Sequence, residues 1–429
     1  MAKRKQDLRT SRQRRLRRRT LGGYRYVRLR WRLLFGLIDL VGTAIVGMTK
    51  WLRWADDESR EPPKRILLVQ FDHLGDAVIT TGMLAALRRT YPASSIEVLA
   101  APWNRAIFDA SPAVDFVHVC PQNRFAPQAG LTWIPATILW GLRLRHRYDL
   151  AIDVRGEFPH NVLLWLTGAR RRVGWSSGGG GFLLTDAPSF VANRPEHESR
   201  AALLACLPDF QGVEHHPPAP AFPLATADTE TAETAWQSVS SAHARTRRVV
   251  FHIGAGTSAK SWPAEHWRRL VHQFVSDGTT VVALVGTGHD RETARAILGP
   301  SAPPGAVDWT GRFNLTELAA VLQQAQAMLG ADSGPAHLAA AVGTPVLALF
   351  SGTNRVAQWR PHGGHVAVLQ HKVTCSPCHR RDCPHAEHPC MRGIRPTAVA
   401  RALAKMLAGP VPADVSVPLA AATEKGPHR

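Results

Sequence analysis

The chain has 429 residues, 45% hydrophobic and 20% charged, which excludes a fibrous or wholly disordered protein and leaves room for two or three domains. Its formal charge is +19, from 52 Lys and Arg against 33 Asp and Glu. Sixteen of the bases but only Asp7 and Asp39 of the acids fall in residues 1–54, leaving 36 against 31 in the remainder. The excess belongs to one terminal segment. The nearly neutral body argues against a nucleic-acid partner.

Residues 1–32 are a polybasic arm, and 33–48, LLFGLIDLVGTAIVGM, are mostly apolar. A helix of sixteen residues reaches about 24 Å, short of the roughly 30 Å hydrocarbon core of a bilayer. Arg25, Arg28, Arg32, Gly36, Asp39, Thr43, Gly47 and Lys50 recur every three or four residues, a polar or small stripe along one helical face. Leu34, Leu37, Ile38, Val41 and Ile45 lie off that stripe, and Trp31, Trp51 and Trp54 flank the apolar run as interfacial aromatics do. We therefore expect an amphipathic helix lying in the inner membrane's cytoplasmic leaflet, with the arm on anionic lipid. Other readings are a helix packed on the body behind a disordered tail, a spanning helix, and an arm that binds RNA. A signal peptide fits poorly, because bases follow the apolar run and no A-x-A-like site precedes Asp56.

After a charged linker, 56–64, strand and helix patterns alternate. RILLVQF (65–71) reads as a strand, DHLGD (72–76) as a turn, and AVITTGMLAALRRTY (77–91) as a helix stopped by Pro92. SIEVLAA, VDFVHVC and YDLAIDV continue as strands, with a helical stretch at 131–147. Residues 192–247 interrupt the rhythm with HHPPAPAFPLA and a polar run. It resumes with RRVVFHIGAG (247–256), TTVVALVGTG (279–288), AMLGAD (327–332) and TPVLALFSG (344–352). The pattern predicts an α/β protein of two Rossmann-like halves facing a cleft. The expected divisions are an extension at 1–55, a first half at 64–195, a connection at 196–246, a second half at 247–407, and a flexible tail at 408–429.

Three motifs carry chemistry. In LLVQFDHLGDAVITT, Asp76 follows Gly75 at a strand-to-helix turn; it suits either a general base or a helix N-cap. In HIGAGTSAKSWPAEHW, Gly256 frees the backbone, Thr257 and Ser258 offer hydroxyls, and Lys260 offers a cation for a diphosphate. This loop is not a Walker A motif. In GADSGPAHLAAAVGTP, a strand ends at Asp332, and Ser333, Gly334 and Pro335 open a short helix whose N-terminus favours an anion. His337 reads as a phosphate contact or a core histidine, and Asp332 as a group that binds a sugar or orders the loop.

Cys375, Cys378, Cys383 and Cys390 lie within sixteen residues. That spacing permits a structural zinc site, separately packed thiols or a disulfide, the last disfavoured in a reducing compartment.

Together, ILLVQFDHLGDAVITTGMLAALRRTYP (66–92), GAGTSAKSWPAEHW (254–267) and GADSGPAHLAAAVGTP (330–345) resemble glycosyltransferase family 9, the bacterial heptosyltransferases of lipopolysaccharide core synthesis. The likeness runs over about 64–407 and leaves the first 54 residues outside. CSPCHRRDCPHAEHPCM is similar to a segment in one branch of the family. The resemblance implies a GT-B fold, with acceptor on the first half and nucleotide-sugar donor on the second. It implies inverting transfer of heptose from ADP-heptose to a lipid A–core acceptor, an anionic glycolipid. Asp76 then aligns with the general base and Lys260 with the donor-phosphate lysine. Gly256, Thr257, Ser258, Asp332, Ser333, Gly334 and His337 fall on donor-binding positions; Ser333 stands where threonine is common. No DxD-like acidic pair lies near the donor loop, so transfer is expected to need no metal or other cofactor. An enzyme of this kind is expected in the cytoplasm, held peripherally at the inner membrane by residues 1–54. The alternatives are a GT-B transferase with another donor, a sugar-nucleotide epimerase, or a membrane-tethered or RNA-binding assembly protein.

Overall fold

A computed structural model of the chain describes residues 29–52, 61–120, 133–191, 193–210, 218–239, 247–276, 278–409 and 416–418. The polybasic run 1–28 and the linker 53–60 lie outside the described residues.

Two parallel sheets organise the chain. The first joins β1 (Arg65–Gln70), β2 (Ser95–Ala100), β3 (Phe116–Val119), β4 (Leu150–Asp153) and β5 (Arg171–Val173) in the order β3-β2-β1-β4-β5. Ile66 through Gln70 are all buried, as expected of a central parallel strand covered on both faces. The second joins β6 (Arg247–His252), β7 (Thr280–Val285), β8 (Ala306–Asp308), β9 (Ala327–Ala331), β10 (Val346–Phe350), β11 (Val366–Gln370) and β12 (Ser416–Pro418). Its order is β12-β11-β10-β9-β6-β7-β8. In both sheets the chain works outward from its first strand and then reverses to that strand's other side. The reversal falls between β1 and β4 in one sheet and between β6 and β9 in the other. Ligands bind outside the carboxyl ends of strands at such reversals. The loops that follow β1, β4, β6 and β9 are therefore the ones that build the site.

Seven helices matter below: α1 (Leu29–Leu52), α2 (Leu74–Thr90), α3 (Trp133–Arg143), α4 (Phe158–Leu166), α5 (Glu196–Leu204), α6 (Thr226–Gln237) and α7 (Gly334–Ala341). Within the stretch expected to be a connection, α5 packs on α2, and α6 packs against the helix Leu315–Gln323 of the second half. One buried apolar cluster contains residues of both halves, including Leu84 and Leu204 with Trp236 and Ala336. The tail expected to be flexible contributes β12, which pairs with β11 from Val368–Ser416 to Gln370–Pro418. An edge strand leaves a row of free backbone groups, and β12 takes up part of that row.

The sequence pattern did not mark β5, β8, β11 or β12. Three of them have only three residues, too few for periodicity to register.

The middle of the polar stripe of α1, at Gly36, Asp39 and Thr43, is partly buried against the protein. Asp39 accepts a hydrogen bond from the Gly180 amide at 2.7 Å, and the Phe35 and Phe158 rings lie 5.6 Å apart. Gly42 is buried, and a Cβ there would sit 2.4 Å from the Phe182 ring. The apolar face points outward: Leu37 is 61% exposed and Leu40 63%. Among the described residues no helix is long and apolar enough to cross a membrane.

Candidate active site

The loop after β1 and the start of α2 form one wall. α2 begins at Leu74 with His73 as N-cap, so Asp76 lies inside the first turn and is not the cap. The Arg200 guanidinium, carried by α5, donates to Asp76 Oδ1 at 3.3 Å and to Glu196 Oε2 at 3.0 Å. Arg155, just past β4, pairs with Asp72, and its Nε donates to Glu157 Oε1 at 2.8 Å. Trp103 Nε1 donates to the Asp72 carbonyl at 2.9 Å, tying down the loop that precedes α2. Burial, and next the Asp72 carboxylate, push the Asp76 carboxyl up to about 8, while Arg200 works in the opposite direction. A carboxyl that titrates near neutral pH is matched to taking up a proton.

The loops after β6 and β9 form the facing wall. Lys260 Nζ donates to Asp332 Oδ2 at 2.8 Å and to the Asp332 carbonyl at 3.1 Å, and Asn354 Nδ2 donates to Asp332 Oδ2 at 2.7 Å. Asp332 thus orders the loop and aims the lysine. Ser333 is the N-cap residue of α7, and its hydroxyl lies 3.4 Å from His252 Nδ1. Ser258 Oγ donates to Asp382 Oδ1 at 2.6 Å, whereas the Thr257 hydroxyl is buried and has no hydrogen-bond partner among the described residues. A Cβ at Gly256 would meet open space, so this stretch of backbone is accessible to a ligand.

The walls meet where α2 crosses α7. A Cβ on Gly75 would lie 2.9 Å from His337 Cδ2, and one on Gly334 would lie 2.8 Å from Leu74 Cβ. Only glycine allows the two helix starts to approach this closely. His337 is 6% exposed, and burial lowers its pKa to about 4, so it is neutral at physiological pH. It lies within electrostatic reach of Asp332 and Lys260. Desolvation lowers the His73 pKa; Asp72 opposes that effect, and Arg155, Lys260 and Arg381 add to it. Cations of both walls therefore act on one point of the cleft. A further interdomain bond runs from Gln358 Nε2 to Glu196 Oε1 at 2.9 Å, and the His197 and His362 rings stack at 4.0 Å.

Cys375, Cys378, Cys383 and Cys390 all line one cavity of about 90 Å3, together with Ala259 of the Lys260 loop. They are free thiols, with no disulfide between them. Among the described residues no three His, Cys, Asp or Glu side chains are grouped so as to hold a metal ion. The cysteine segment braces the loop: the Ala259 amide donates to the Arg381 carbonyl at 3.0 Å, and His388 Nε2 lies 3.1 Å from the Ala259 carbonyl.

Arg200, Arg155, Asp72 and Asn354 were not singled out in the sequence. Asp72 sits inside the FDHLGD motif and was legible in principle, but nothing local marks Arg200, which reaches Asp76 from 124 positions away.

Comparison with known proteins bears on the family and the fold. The family model described as glycosyltransferase family 9 (heptosyltransferase) matches residues 140–388. The chain is 25% identical over 295 residues to lipooligosaccharide heptosyltransferase 2 of Haemophilus influenzae, covering 67% of this chain and 84% of that protein. It is 26% identical to lipopolysaccharide heptosyltransferase 2 of Escherichia coli, covering 67% and 82%. Among solved structures, E. coli ADP-heptose lps heptosyltransferase II superposes with a TM-score of 0.65 at 21% identity, over 80% of this chain and 98% of that one. E. coli heptosyltransferase WaaC with ADP gives a TM-score of 0.59 at 17% identity, over 80% and 99%. These neighbours share the GT-B fold.

Proposed function

The chain belongs to glycosyltransferase family 9, and from that membership we propose that it is an inverting heptosyltransferase moving a heptose from ADP-heptose to a lipid A–core acceptor of lipopolysaccharide. The observation that carries this reading is the contact of the two helix starts at Gly75 and His337. It sets a carboxyl with a raised pKa, Asp76, and a directed cation, Lys260, on opposite sides of one cleft.

Asp76 accepts the proton of the acceptor hydroxyl as its oxygen attacks the anomeric carbon. The bond from that carbon to the diphosphate breaks on the opposite face, so a single displacement inverts the centre. Lys260, the open backbone at Gly256 and the N-terminus of α7 meet the charge of the departing ADP. Ser333 and Thr257 supply hydroxyls to the donor side. Diphosphate leaves readily, so no second carboxylate has to act as an acid, unlike the paired carboxylates of glycosidases. Charge on the donor is balanced by protein cations, and the step as proposed uses no divalent metal.

The acceptor is an anionic glycolipid, so we place the enzyme peripherally on the cytoplasmic leaflet of the inner membrane, held by residues 1–54. Removing those residues should release it to the soluble fraction at low salt.

The deciding assay follows ADP release by purified protein from ADP-heptose with and without a lipid A–core acceptor lacking outer-core sugars. Acceptor-dependent release that survives EDTA supports the proposal. Turnover of a UDP-sugar without acceptor would identify an epimerase, and acceptor-dependent use of a different donor would replace the heptose. Absence of turnover with every donor would leave an assembly protein that keeps the fold.

A further inference from the structure

α1 is inverted relative to an ordinary surface helix. Its Asp39 accepts from the Gly180 amide and its Gly42 is pressed onto Phe182, while Leu37, Leu40 and Ile45 face out. A second helix repeats the pattern. α3 buries Ala136, Thr137, Trp140 and Gly141 but exposes Ile138 at 47%, Leu139 at 65% and Leu142 at 54%. The two helices flank one ring: Phe158 of α4 contacts Phe35 of α1 at 5.6 Å and Trp133 of α3 at 6.1 Å. Exposed apolar side chains of two neighbouring helices therefore belong to one region of the first half. Apolar surface concentrated in this way marks an interaction site.

Charge identifies the occupant. α1 is the direct continuation of the basic arm, which carries thirteen Lys and Arg against Asp7 in residues 1–30. α3 runs into Arg143, Arg145 and Arg147, all exposed, at the edge of its apolar face. Long basic side chains beside an apolar face suit a surface that is apolar within and anionic at its rim. A second copy of this chain offers the opposite of that complementarity, because pairing the faces would bring two basic arms together.

We propose that the outward faces of α1 and α3 form a single lipid-docking surface, so that the folded first half itself, and not only the N-terminal segment, rests on an anionic bilayer. This rests on the membrane placement above and adds a contact 80 residues beyond the segment to which that placement was assigned. It also orients the protein: the half that carries Asp76 faces the leaflet in which a glycolipid acceptor is embedded.

The test is co-sedimentation of the full chain with phosphatidylcholine vesicles containing or lacking about one-third phosphatidylglycerol, over a salt series. The double variant Ile138→Glu/Leu139→Glu places two charges on α3 without touching the arm. A second double variant, Leu139→Ser/Leu142→Ser, removes apolar surface without adding charge. Thr231→Glu, an exposed position on α6, which packs against the other half, is the control, and thermal unfolding checks that each variant is folded. The expected result is at least a tenfold loss of binding to anionic vesicles in both α3 variants, with the control binding like the parent. If both folded α3 variants bind like the parent, the arm and α1 alone hold lipid; the inference fails while the membrane placement stands. If the parent itself ignores anionic vesicles, both fail. If the parent is a dimer in solution that the α3 variants convert to monomer, the face belongs to a second copy and the inference is overturned.

Discussion

The Arg200 guanidinium stands 3.3 Å from the Asp76 carboxylate and binds Glu196 with its other terminal nitrogen, inside a pocket that leaves Arg200 only 3% exposed. Glu196 in turn receives Gln358 from the second half. The base proposed for catalysis is thus held by a chain of polar contacts that crosses the interdomain boundary, and its proton affinity is set by burial and the Asp72 carboxylate, opposed first by Arg200.

The first consequence is a pH profile. With the Asp76 carboxyl raised to about 8, most of the ligand-free enzyme carries it protonated at neutral pH. kcat/KM should rise about tenfold per pH unit below a limb near 8 and level off above it, because that ratio reports the base in the free enzyme. A flat profile between pH 6 and 9 would remove Asp76 as the base.

Arg200 should set the position of that limb. It is the nearest cation holding the Asp76 pKa down, so Arg200→Gln should move the limb to higher pH by at least half a unit and depress kcat/KM more at pH 7 than at pH 9.5. Arg200→Lys keeps the charge and should restore much of the shift. A uniform loss of rate at every pH would assign Arg200 a purely architectural role.

Stability should run against activity at Asp76. Its folded pKa is raised above the unfolded value, so the native state holds a proton that the unfolded chain has lost. Wild-type stability from this group therefore declines as pH rises from about 4 to about 8. Asp76→Asn has no such charge to bury. It should abolish transfer, and its melting temperature relative to wild type should be higher at pH 8.5 than at pH 5. Thermal unfolding at the two pH values measures the difference, in which other titrating groups largely cancel.

Lys260 and Asp332 should separate in their effects. Lys260→Ala removes the cation proposed to meet the leaving group and should lower kcat by about 100-fold or more, in the range for loss of one preorganised charge-stabilising group. Asp332→Asn keeps the lysine but weakens the contact that directs it, and should give a smaller loss in kcat. Steady-state kinetics with saturating acceptor distinguish them; equal losses would mean that aiming matters as much as charge.

Gly75 should be coupled to His337. An added methyl would lie 2.9 Å from the histidine ring, so Gly75→Ala should destabilise the protein by about 1–3 kcal/mol. His337→Ala makes room, and the double variant should be at least about 0.5 kcal/mol more stable than the sum of the single effects. Denaturant midpoints of the four proteins close this cycle; strict additivity would mean that the helix starts do not bear on one another.

Much of this molecule was legible in the chain. Strands such as RILLVQ and TVVALV are buried, largely apolar runs of strand length, and their alternation with helical stretches marks a parallel α/β arrangement. Asp76 and Ser333 could be singled out because each sits beside glycine at a strand-to-helix turn, and Lys260 because it lies in a short loop bounded by Gly256 and Pro263, where backbone geometry writes a local signature. The lopsided charge was equally plain: +19 is a property of the first 54 residues more than of the body. Short edge strands such as β5 and β8 left no signature, since three residues cannot carry a period.

The tertiary structure decided the rest. Arg200 joins Asp76 only because α5 packs on α2, and no local pattern connects positions 124 apart. Asp332 became the anchor of Lys260 because the loops after β6 and β9 emerge side by side at the reversal of the second sheet. The four cysteines line one cavity that braces the Lys260 loop, an arrangement their spacing alone left open. The periodicity of α1 announced two faces, and packing turned the Asp39 side inward, where Asp39 accepts a hydrogen bond from the Gly180 amide. Periodicity and turn chemistry act over a few residues, so the sequence determined elements and motifs. Burial, ion pairing and pKa depend on which surfaces meet, and only the folded chain brings those surfaces together.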